Sequence, residues 1–369
     1  MVEHLSKQWF MRGIFVVVLS LCSCTISDTT GPGYTSFQSV IDDYAAGYDI
    51  PGVLALVARP ESVWVGASGQ SDRFTGRFMR STDKFRAASL TKTFTATVIL
   101  QMAEEGLLGL DDRIEFYLEQ DIVDSICIIG DESYGFLITI RMLLSHRSGI
   151  NDFADETFYA RLYANPNRFW YPVDLVRYAI RMGDALFIPD LIPANEYSYS
   201  NTNYILLGMI IEERTGRPYH QVLRERIYDR VGMPNTYLAE RENIPPTIAS
   251  GYDGDNDVSS FNYSFEWADA GIVTTTEDAS RFLNALMSGQ LFSSPSTLAE
   301  MKNPNGYGLG LQARITTSGA LGYGHFGESL GFVSFMMYVP SLNAYVVASM
   351  NQRLADEEAL YVDLLSLVE

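Results

Sequence analysis

The chain is poor in the residues that build metal and phosphate sites. Its 369 residues include 3 cysteines and 4 histidines. The histidines, at positions 4, 146, 220 and 325, show no metal-ligand spacing, and no acidic loop resembles a calcium site. A glycine-rich phosphate loop is absent from the sequence as well. The sequence therefore predicts neither a metal site nor a cofactor.

Basic residues are also scarce. There are 26 lysines and arginines against 45 acidic residues, which gives a formal net charge of −19. Because binding nucleic acid or anionic lipid through charge requires a basic surface, no nucleic-acid partner is expected. Of the 26 basic residues, 22 are arginines, and the lysines are Lys7, Lys84, Lys92 and Lys302. A lysine at a particular position is therefore informative.

No apolar run is long enough for an ordinary membrane span, which needs about 20 residues. Residues 13–21 form a shorter uncharged apolar run after Lys7 and Arg12, a pattern typical of an export signal. Leu21-Cys22-Ser23-Cys24 then resembles a bacterial lipobox with Cys24 as the lipid attachment residue. We therefore predict a signal peptide over residues 1–24 and a tether over residues 25–35.

A lipid on Cys24 would anchor the exported protein in the bacterial cell envelope, in the periplasm or at the outer membrane, without a transmembrane helix. The alternative is ordinary cleavage near Ser23 and a soluble secreted protein. With Cys22 removed and Cys24 lipidated, Cys127 would be the one cysteine left, which excludes a disulfide framework. The neighbouring isoleucines predict that the Cys127 thiol is buried and inert.

Periodicity along residues 36–369 predicts one large domain of mixed architecture. Helical spacing of apolar residues begins at Phe37, and a hairpin is expected over 53–59 and 63–68. Residues 107–267 are predicted to be mostly helical, while strands are expected at 322–327, 332–339 and 344–350 before a closing helix over 354–368. These patterns predict an α/β (α+β) fold in which helices flank an antiparallel sheet built from both termini, with an inserted helical region.

Ser89 and Lys92 form a Ser-x-x-Lys pattern at the start of an apolar helix predicted over 89–105. This spacing places both side chains on one helical face. Serine is a poor nucleophile unless a neighbour takes its proton, and a lysine can do so when its pKa is lowered. The alternative is that Ser89 is an ordinary helix N-cap. Ser81 and Lys84 repeat the pattern, but we reject them because Asp83 would hold Lys84 charged and no apolar helix follows.

Two further motifs follow along the chain. Tyr199-Ser200-Asn201 precedes a helix, and the alternative is a buried Tyr/Asn pair without chemistry. His325-Phe326-Gly327 lies on a predicted strand, where a glycine permits a substrate backbone to approach closely; the alternative is a histidine in a glycine-rich turn. Gly327-Glu328-Ser329-Leu330-Gly331 also matches the nucleophile elbow of α/β-hydrolases, but no histidine follows Ser329, as that fold requires.

The order and separation of these three motifs resemble the serine β-lactamase and penicillin-binding D-alanyl-peptidase superfamily, especially its class C-like branch. Residues 139–150, 270–275 and 307–310 add to the resemblance, which covers about residues 37–351. The resemblance implies a β-lactamase/transpeptidase-like fold and a serine hydrolase that forms an acyl-enzyme. His146 falls within the first of these stretches, and we interpret it as structural.

The resemblance also implies a role for each motif residue. Ser89 would be the nucleophile, while Lys92 and a Tyr199 whose pKa is depressed by Lys92 would transfer protons. The substrate-binding residues would be Asn201, His325, Gly327 and Glu328. The N–H groups of Ser89 and Glu328 would form the oxyanion hole.

The third motif departs from that of the β-lactam-binding members. Phe326 replaces a threonine that helps to hold a substrate carboxylate, and His325, mostly neutral near pH 7, replaces a lysine. Efficient β-lactam hydrolysis is therefore less expected than hydrolysis of esters or of D-amino-acid amides and peptides, which include peptidoglycan-derived ones. A rival hypothesis is a non-catalytic envelope-binding or sensing protein on the same fold. Retention of the serine, lysine, tyrosine and asparagine argues against it.

Overall fold

A computed structural model describes residues 35–189 and 196–369 of the chain. Its β-strands, in chain order, are β1 (Gly52–Arg59), β2 (Ser62–Asp72), β3 (Arg77–Phe78), β4 (Phe85–Arg86), β5 (Ile128–Ile129), β6 (Glu132–Ser133), β7 (Tyr237–Leu238), β8 (Tyr252–Asp253), β9 (Asn256–Asp257), β10 (Ile272–Thr274), β11 (Gln312–Ile315), β12 (Leu321–Ser329), β13 (Phe332–Val339) and β14 (Ala344–Met350).

Helices occupy much of the chain between β4 and β11, and one helix each precedes β1 and follows β14. They are α1 (Phe37–Gly47), α2 (Leu90–Glu104), α3 (Gln120–Ile126), α4 (Ile140–Leu144), α5 (Glu156–Ala164), α6 (Pro172–Ile180), α7 (Asn201–Thr215), α8 (Tyr219–Leu223), α9 (Asp229–Val231), α10 (Trp267–Ala270), α11 (Thr276–Met287), α12 (Pro295–Met301) and α13 (Glu357–Ser366). A π-helical turn, Arg224–Tyr228, joins α8 to α9.

The main sheet has seven antiparallel strands in the order β11-β12-β13-β14-β1-β2-β3. Its centre joins the two ends of the chain, because β1 pairs with β14 from Val53 opposite Met350 to Ala58 opposite Tyr345. A smaller sheet, in the order β4-β10-β7, lies in the rest of the domain. The predicted fold, an antiparallel sheet built from both termini and flanked by helices, is confirmed.

At its central strand β1, the main sheet is buried on both faces. Successive residues of a strand point to opposite faces, and in β1 the side chains of Val53, Ala55 and Val57 pack in a core with α1 and α13. Leu54 and Leu56 pack on the other face, in the larger core that includes the helices of the middle region. The unbroken apolar run of β1 therefore follows from burial on two sides.

Helix α2 carries the Ser-x-x-Lys pattern through the middle of the larger core. Its residues from Leu90 to Met102 are all buried, and a helix buried all round has no polar face to orient it. Threonine hydroxyls fix it instead: Thr93 donates to the Gly310 carbonyl at 2.9 Å, and Thr95 donates to the Ala268 carbonyl at 2.7 Å. The first turn of α2 is therefore held in a fixed place.

The edge strand β11 was not expected from the sequence. Two of its four residues are exposed, and it has no apolar alternation from which a strand could be predicted. It pairs with β12 from Gln312 opposite Gly324 to Ile315 opposite Leu321. Beyond Gly324, none of the described residues forms a strand beside that edge of β12, and this is where the third motif lies.

The predicted signal peptide and lipobox, with Cys24, lie outside the described residues and stay predictions. Within the ranges 35–189 and 196–369, no helix has the length and apolar character that crossing a bilayer requires. Cys127 is buried and free, and burial raises the pKa of its thiol to about 11, as expected of an inert cysteine.

Candidate active site

Ser89 lies at the start of α2 and does not act as an N-cap. Its side chain makes no capping hydrogen bond. Its Oγ lies 2.9 Å from Lys92 Nζ and 3.0 Å from the Tyr199 hydroxyl instead. The preceding residue, Ala88, has a φ of +50°, a region that residues with a side chain rarely adopt. The backbone thus turns sharply to present the hydroxyl to two proton-carrying groups.

Lys92 is fully buried, and its Nζ has three neighbours within hydrogen-bond distance. Besides Ser89 Oγ, these are Asn201 Oδ1 at 2.7 Å and the Asp269 carbonyl at 3.1 Å. The last two can only accept, so a neutral amine would place its two hydrogens there and direct its lone pair at Ser89 Oγ. Burial lowers the pKa of Lys92 to about 8, against the opposing effect of nearby carboxylates. The amine form is therefore accessible near neutral pH.

Asn201 is oriented by a carboxylate that the sequence analysis did not identify. Asp152 accepts from the Asn201 Nδ2 at 2.9 Å and from the Asn201 backbone N–H at 3.0 Å. A carboxylate accepts only, so this contact fixes the amide with its oxygen towards Lys92. Nothing local in the sequence distinguishes Asp152 among the 45 acidic residues.

Tyr199 contradicts one expectation, because its pKa is raised and not depressed. Burial is the main cause, and the negative charges of Asp269 and Asp152 act in the same direction. Its hydroxyl is therefore the neutral form and donates to Ser89. The ring is held by His146, whose ring centroid lies 4.1 Å away. Desolvation of the buried phenol therefore sets the direction of the pKa shift, opposite to the one that the resemblance implied.

His146 supports this arrangement from behind the site, as a structural residue. It is fully buried, and its Nδ1 accepts the backbone N–H of Ser200 at 3.2 Å. Burial lowers its pKa well below the usual value, so the ring is neutral. It thereby fixes the backbone between Tyr199 and Asn201.

Gly327 lies beside Ser89, and the structure gives a reason for the glycine in addition to the expected approach of a substrate. A Cβ at position 327 would lie 2.8 Å from the Ser89 backbone nitrogen and 3.1 Å from the Ala87 carbonyl oxygen. The protein's own backbone, and not only a substrate, therefore requires a glycine here. This close approach brings β12 directly against the start of α2.

The position of Glu328 suits its backbone amide for the predicted oxyanion hole. The Phe326 N–H points towards β11, where it donates to Gln312 Oε1 at 3.3 Å. Backbone groups two residues apart on a strand point the same way, so the Glu328 N–H faces the same edge, beyond the last β11 pairing. The Glu328 carboxylate pairs with Arg353 at 3.2 Å. Glu328 also lines the cavity over Ser89, and this ion pair holds its carboxylate.

His325 does not line the cavity over Ser89, which corrects its expected role as a substrate-binding side chain. It is fully buried, its Nδ1 donates to the Phe326 carbonyl at 2.5 Å, and its Nε2 accepts from the Tyr307 hydroxyl at 3.0 Å. Burial lowers its pKa to about 3. Tyr307 packs over the histidine ring and bonds to it, so the ring does not reach the cavity.

A cavity of about 260 Å³ lies over Ser89. It contains three residues that the sequence analysis did not identify, Gln312 and Arg314 on the edge strand and Glu357 at the start of α13. The residues that line it are Ser89, Tyr199, Asn201, Gln312, Arg314, Phe326, Gly327, Glu328 and Glu357. The three motifs, distant in sequence, thus meet at one small polar cavity with both signs of charge.

The family model named Beta-lactamase matches residues 37–367. The chain belongs to the beta-lactamase family. Its fold and its neighbours within this superfamily make it a serine hydrolase, as predicted.

Similar proteins include a penicillin-binding protein and an amidohydrolase. The chain is 25% identical over 335 residues to Penicillin-binding protein 4 of Amycolatopsis lactamdurans, which covers 83% of this chain and 82% of that protein. Among solved structures it is similar to a D-stereospecific amidohydrolase from Streptomyces sp., with a TM-score of 0.77, 29% identity and coverage of 89% of this chain and 98% of that one. Several other curated relatives are longer, and the chain spans between 44% and 64% of their length.

A second similar structure is the D-amino acid amidase from Ochrobactrum anthropi SV3 in complex with L-phenylalanine. Its TM-score is 0.74 at 27% identity, and the alignment covers 90% of this chain and 95% of that one. Proteins named for D-amino-acid amide chemistry and for penicillin binding are thus both similar to this beta-lactamase family member.

The two alternative serines, Ser81 and Ser329, do not contact the Ser89, Lys92 and Tyr199 side chains. Lys84 Nζ donates to Thr247 at 2.7 Å, while Asp83 pairs with Arg77 and not with Lys84. The rejection of the Ser81 pattern therefore stands, although the expected Asp83–Lys84 pairing was wrong. Ser329 is buried and donates to the carboxylate of Glu266.

Within the described ranges, no group of three or more His, Cys, Asp or Glu side chains is placed to hold a metal ion.

Proposed function

We propose that this chain is an exported serine hydrolase that cleaves amides or esters of D-amino acids through an acyl-enzyme on Ser89. The observation that carries the proposal is the position of Ser89 Oγ, which lies 2.9 Å from Lys92 Nζ and 3.0 Å from the Tyr199 hydroxyl. A nucleophile with a base and an acid in direct contact is the arrangement that acyl transfer requires.

Acylation begins when the Ser89 oxygen attacks the substrate carbonyl carbon. Its proton passes to the neutral amine of Lys92, whose lone pair faces it. As the tetrahedral intermediate collapses, the neutral Tyr199 hydroxyl protonates the departing nitrogen or oxygen. The proton gained by Lys92 then restores the Tyr199 hydroxyl. General acid–base catalysis of this kind contributes about 10²–10⁴ in rate.

Deacylation reverses these roles with water as the nucleophile. The neutral amine of Lys92 takes the proton from water as it attacks the acyl carbon, with the Tyr199 hydroxyl passing a proton on, and Lys92 returns a proton to Ser89 when the ester bond breaks. In both steps the negative oxygen is stabilised by the N–H groups of Ser89 and Glu328. The start of α2 adds a favourable dipole there.

The cavity favours D-amino-acid amides and peptides over β-lactams. Phe326 supplies no hydroxyl and the buried, neutral His325 supplies no charge to a substrate carboxylate, so that among the lining residues only Arg314 could pair with one. Glu357 adds an acidic group to the wall, which suits a substrate with a free ammonium group. The names of the two similar structures, a D-stereospecific amidohydrolase and a D-amino acid amidase, support the same substrate class. Peptides derived from peptidoglycan belong to this class by chemistry.

A substrate panel tests this function. Hydrolysis of D- and L-phenylalanine amide, a p-nitrophenyl ester and a chromogenic cephalosporin would be measured for the wild type, Ser89→Ala and the matched control Ser329→Ala. We expect D-amide turnover that exceeds β-lactam turnover, abolished by Ser89→Ala and retained by Ser329→Ala. A wild-type protein that binds D-amino-acid ligands but turns over no member of the panel would favour the non-catalytic envelope-binding alternative.

For localisation, we propose that Cys24 carries a lipid that anchors the protein in the bacterial cell envelope. Support comes from the lipobox-like sequence and from the apolar run before it. Metabolic labelling with an alkyne fatty acid should mark the wild type and Cys22→Ala but not Cys24→Ala. If none of the three proteins were labelled and the protein were found in the culture medium, ordinary cleavage and secretion would be favoured.

A further inference from the structure

Asp269 is a buried acid beside Lys92 that the proposed proton transfers do not use. It lies in α10 and is 4% exposed. Its Oδ2 is 3.8 Å from Lys92 Nζ, and its backbone carbonyl accepts from the same nitrogen at 3.1 Å. Its other carboxylate oxygen, Oδ1, is buried and has no hydrogen-bond partner among the described residues. A carboxylate buried in this way is destabilising unless a neighbouring charge compensates for it.

The other acids near Lys92 have partners of their own. Asp152 accepts three N–H groups, two from Asn201 and one from Ala154. Glu266 accepts the Ser329 hydroxyl and is stabilised by the positive charge of Arg86. Asp269 differs, because Lys92 is the nearest cation to its side chain.

The remaining titratable groups packed around Lys92 are neutral. Burial lowers the pKa of both nearby histidines and raises the pKa of both nearby tyrosines. These groups are His146, His325, Tyr199 and Tyr204. Burial raises the pKa of Asp269 well above its usual value too, and the positive charge of Lys92 is the main effect that opposes this rise. With Asp269 Oδ2 at 3.8 Å from Lys92 Nζ, each group therefore favours the charged form of the other.

We propose that the Asp269 carboxylate pairs with Lys92 as a buried counter-ion and thereby sets how readily Lys92 binds the proton that Ser89 gives up. This inference rests on the proposed function and makes Asp269 a positioning residue, because it acts through Lys92 and does not touch the substrate. Without a counter-ion, a fully buried amine would stay neutral and would be a weaker base. With one, Lys92 accepts the proton and releases it within the working range of pH.

The direction of the effect follows from simple electrostatics. A negative charge favours the ammonium form, whereas burial favours the amine. Burial lowers the pKa of Lys92 to about 8, and the Asp269 charge is the first of the effects that oppose it. Removing that charge should lower the pKa of Lys92 further, by about 1–3 units for an opposite charge at this range.

The scarcity of lysine permits a direct test that does not depend on activity. With 4 lysines in the chain, lysine labelled with ¹³C at Cε gives few NMR signals, and Lys84→Arg and Lys302→Arg assign them. The Lys92 signal would be titrated from pH 5 to 11 in the wild type, in Asp269→Asn and in Asp278→Asn. Asp278 is a matched control, since it is a buried acid that binds Asn235, Thr236 and Arg281 and not Lys92.

We expect the Lys92 midpoint to move to lower pH by at least about one unit in Asp269→Asn and to stay within about 0.3 unit in Asp278→Asn. The acid limb of the kcat/KM profile should move in the same direction. Equal midpoints in all three proteins would overturn the inference, as would a wild-type Lys92 that is already neutral at pH 6. Thermal unfolding of each variant separates a charge effect from a folding defect.

Different results would reject the Asp269–Lys92 ion pair and the proposed hydrolase function. A Lys92 midpoint that shifts in Asp269→Asn, in a protein that hydrolyses no substrate, would retain the ion pair and reject the proposed function. Substrate turnover with an unchanged Lys92 midpoint would retain the function and assign Asp269 a packing role alone.

Discussion

The amide nitrogen of Asn201 lies 2.9 Å from a carboxylate oxygen of Asp152, and this contact determines which end of the amide faces Lys92. The amide oxygen then lies 2.7 Å from Lys92 Nζ. If the amide were reversed, its N–H₂ group would face the lysine and oppose a proton on it. The alignment of the lysine with Ser89 thus depends on an acid in a loop before α5.

Replacing Asp152 with asparagine should disturb this alignment. The new amide can present hydrogens to Asn201, so the Asn201 amide can rotate. We expect kcat/KM to fall about 10–100-fold, with a loss of about 1–3 kcal/mol in the free energy of unfolding. Steady-state kinetics and denaturant unfolding measure both. Asp155→Asn is the control, because Asp155 caps α5 nearby and does not contact Asn201; an equal loss of activity there would contradict the assignment.

Tyr199→Phe removes one hydroxyl and keeps the ring that packs on His146. The lost group is the acid for the leaving group, so kcat should fall about 10²–10⁴-fold. Circular dichroism and the melting temperature should change little, since the hydroxyl bonds to Ser89 and not to a structural group. If the variant kept its wild-type kcat on an amide substrate, Tyr199 would not be the acid.

The pH dependence should follow Lys92. The reaction needs the amine, and burial places the pKa of Lys92 at about 8. Below that value kcat/KM should therefore rise about tenfold per pH unit, and above it the rate should level off. Tyr199 should impose no fall in this range, because its pKa is raised. Lys92→Arg, which cannot deprotonate, should be inactive throughout. A wild-type profile that is flat between pH 6 and 9 would contradict this role.

Gly327→Ala tests the close contact between β12 and α2. The added methyl group would lie 2.8 Å from the Ser89 nitrogen and must displace it. Loss of an aligned oxyanion-hole donor should lower kcat about 10²–10³-fold. Gly47→Ala is the matched control, since a Cβ there meets nothing within 4 Å, and it should retain full activity. If Gly327→Ala kept wild-type activity, a glycine at position 327 would not be needed to align the Ser89 amide.

The motifs could be predicted from the sequence because each is local. Ser89 and Lys92 are one turn apart on a buried helix, and Tyr199 and Asn201 lie at the start of another helix. Their spacing along the chain therefore predicts how the side chains of each motif are placed relative to each other. The direction of the Tyr199 pKa could not be predicted in the same way. It depends on burial by His146 and by other residues distant along the chain.

Asp152, Asp269 and Glu357 could not be identified from the sequence for a related reason. Each is a single acid among 45, and what distinguishes it is burial beside a residue distant along the chain. The role of His325 was misjudged because strand alternation places it on the same face as Gly327 but does not reveal its depth. Tyr307, from another part of the chain, closes over it.

We expect Ser89 to be the activated nucleophile, and covalent labelling of the protein can show whether it is. The folded protein would be treated with a serine-reactive fluorophosphonate and mapped by peptide mass spectrometry. We predict one stoichiometric adduct on Ser89, absent in Ser89→Ala and unchanged in Ser329→Ala. An adduct on Ser329, or none on the folded protein, would contradict it.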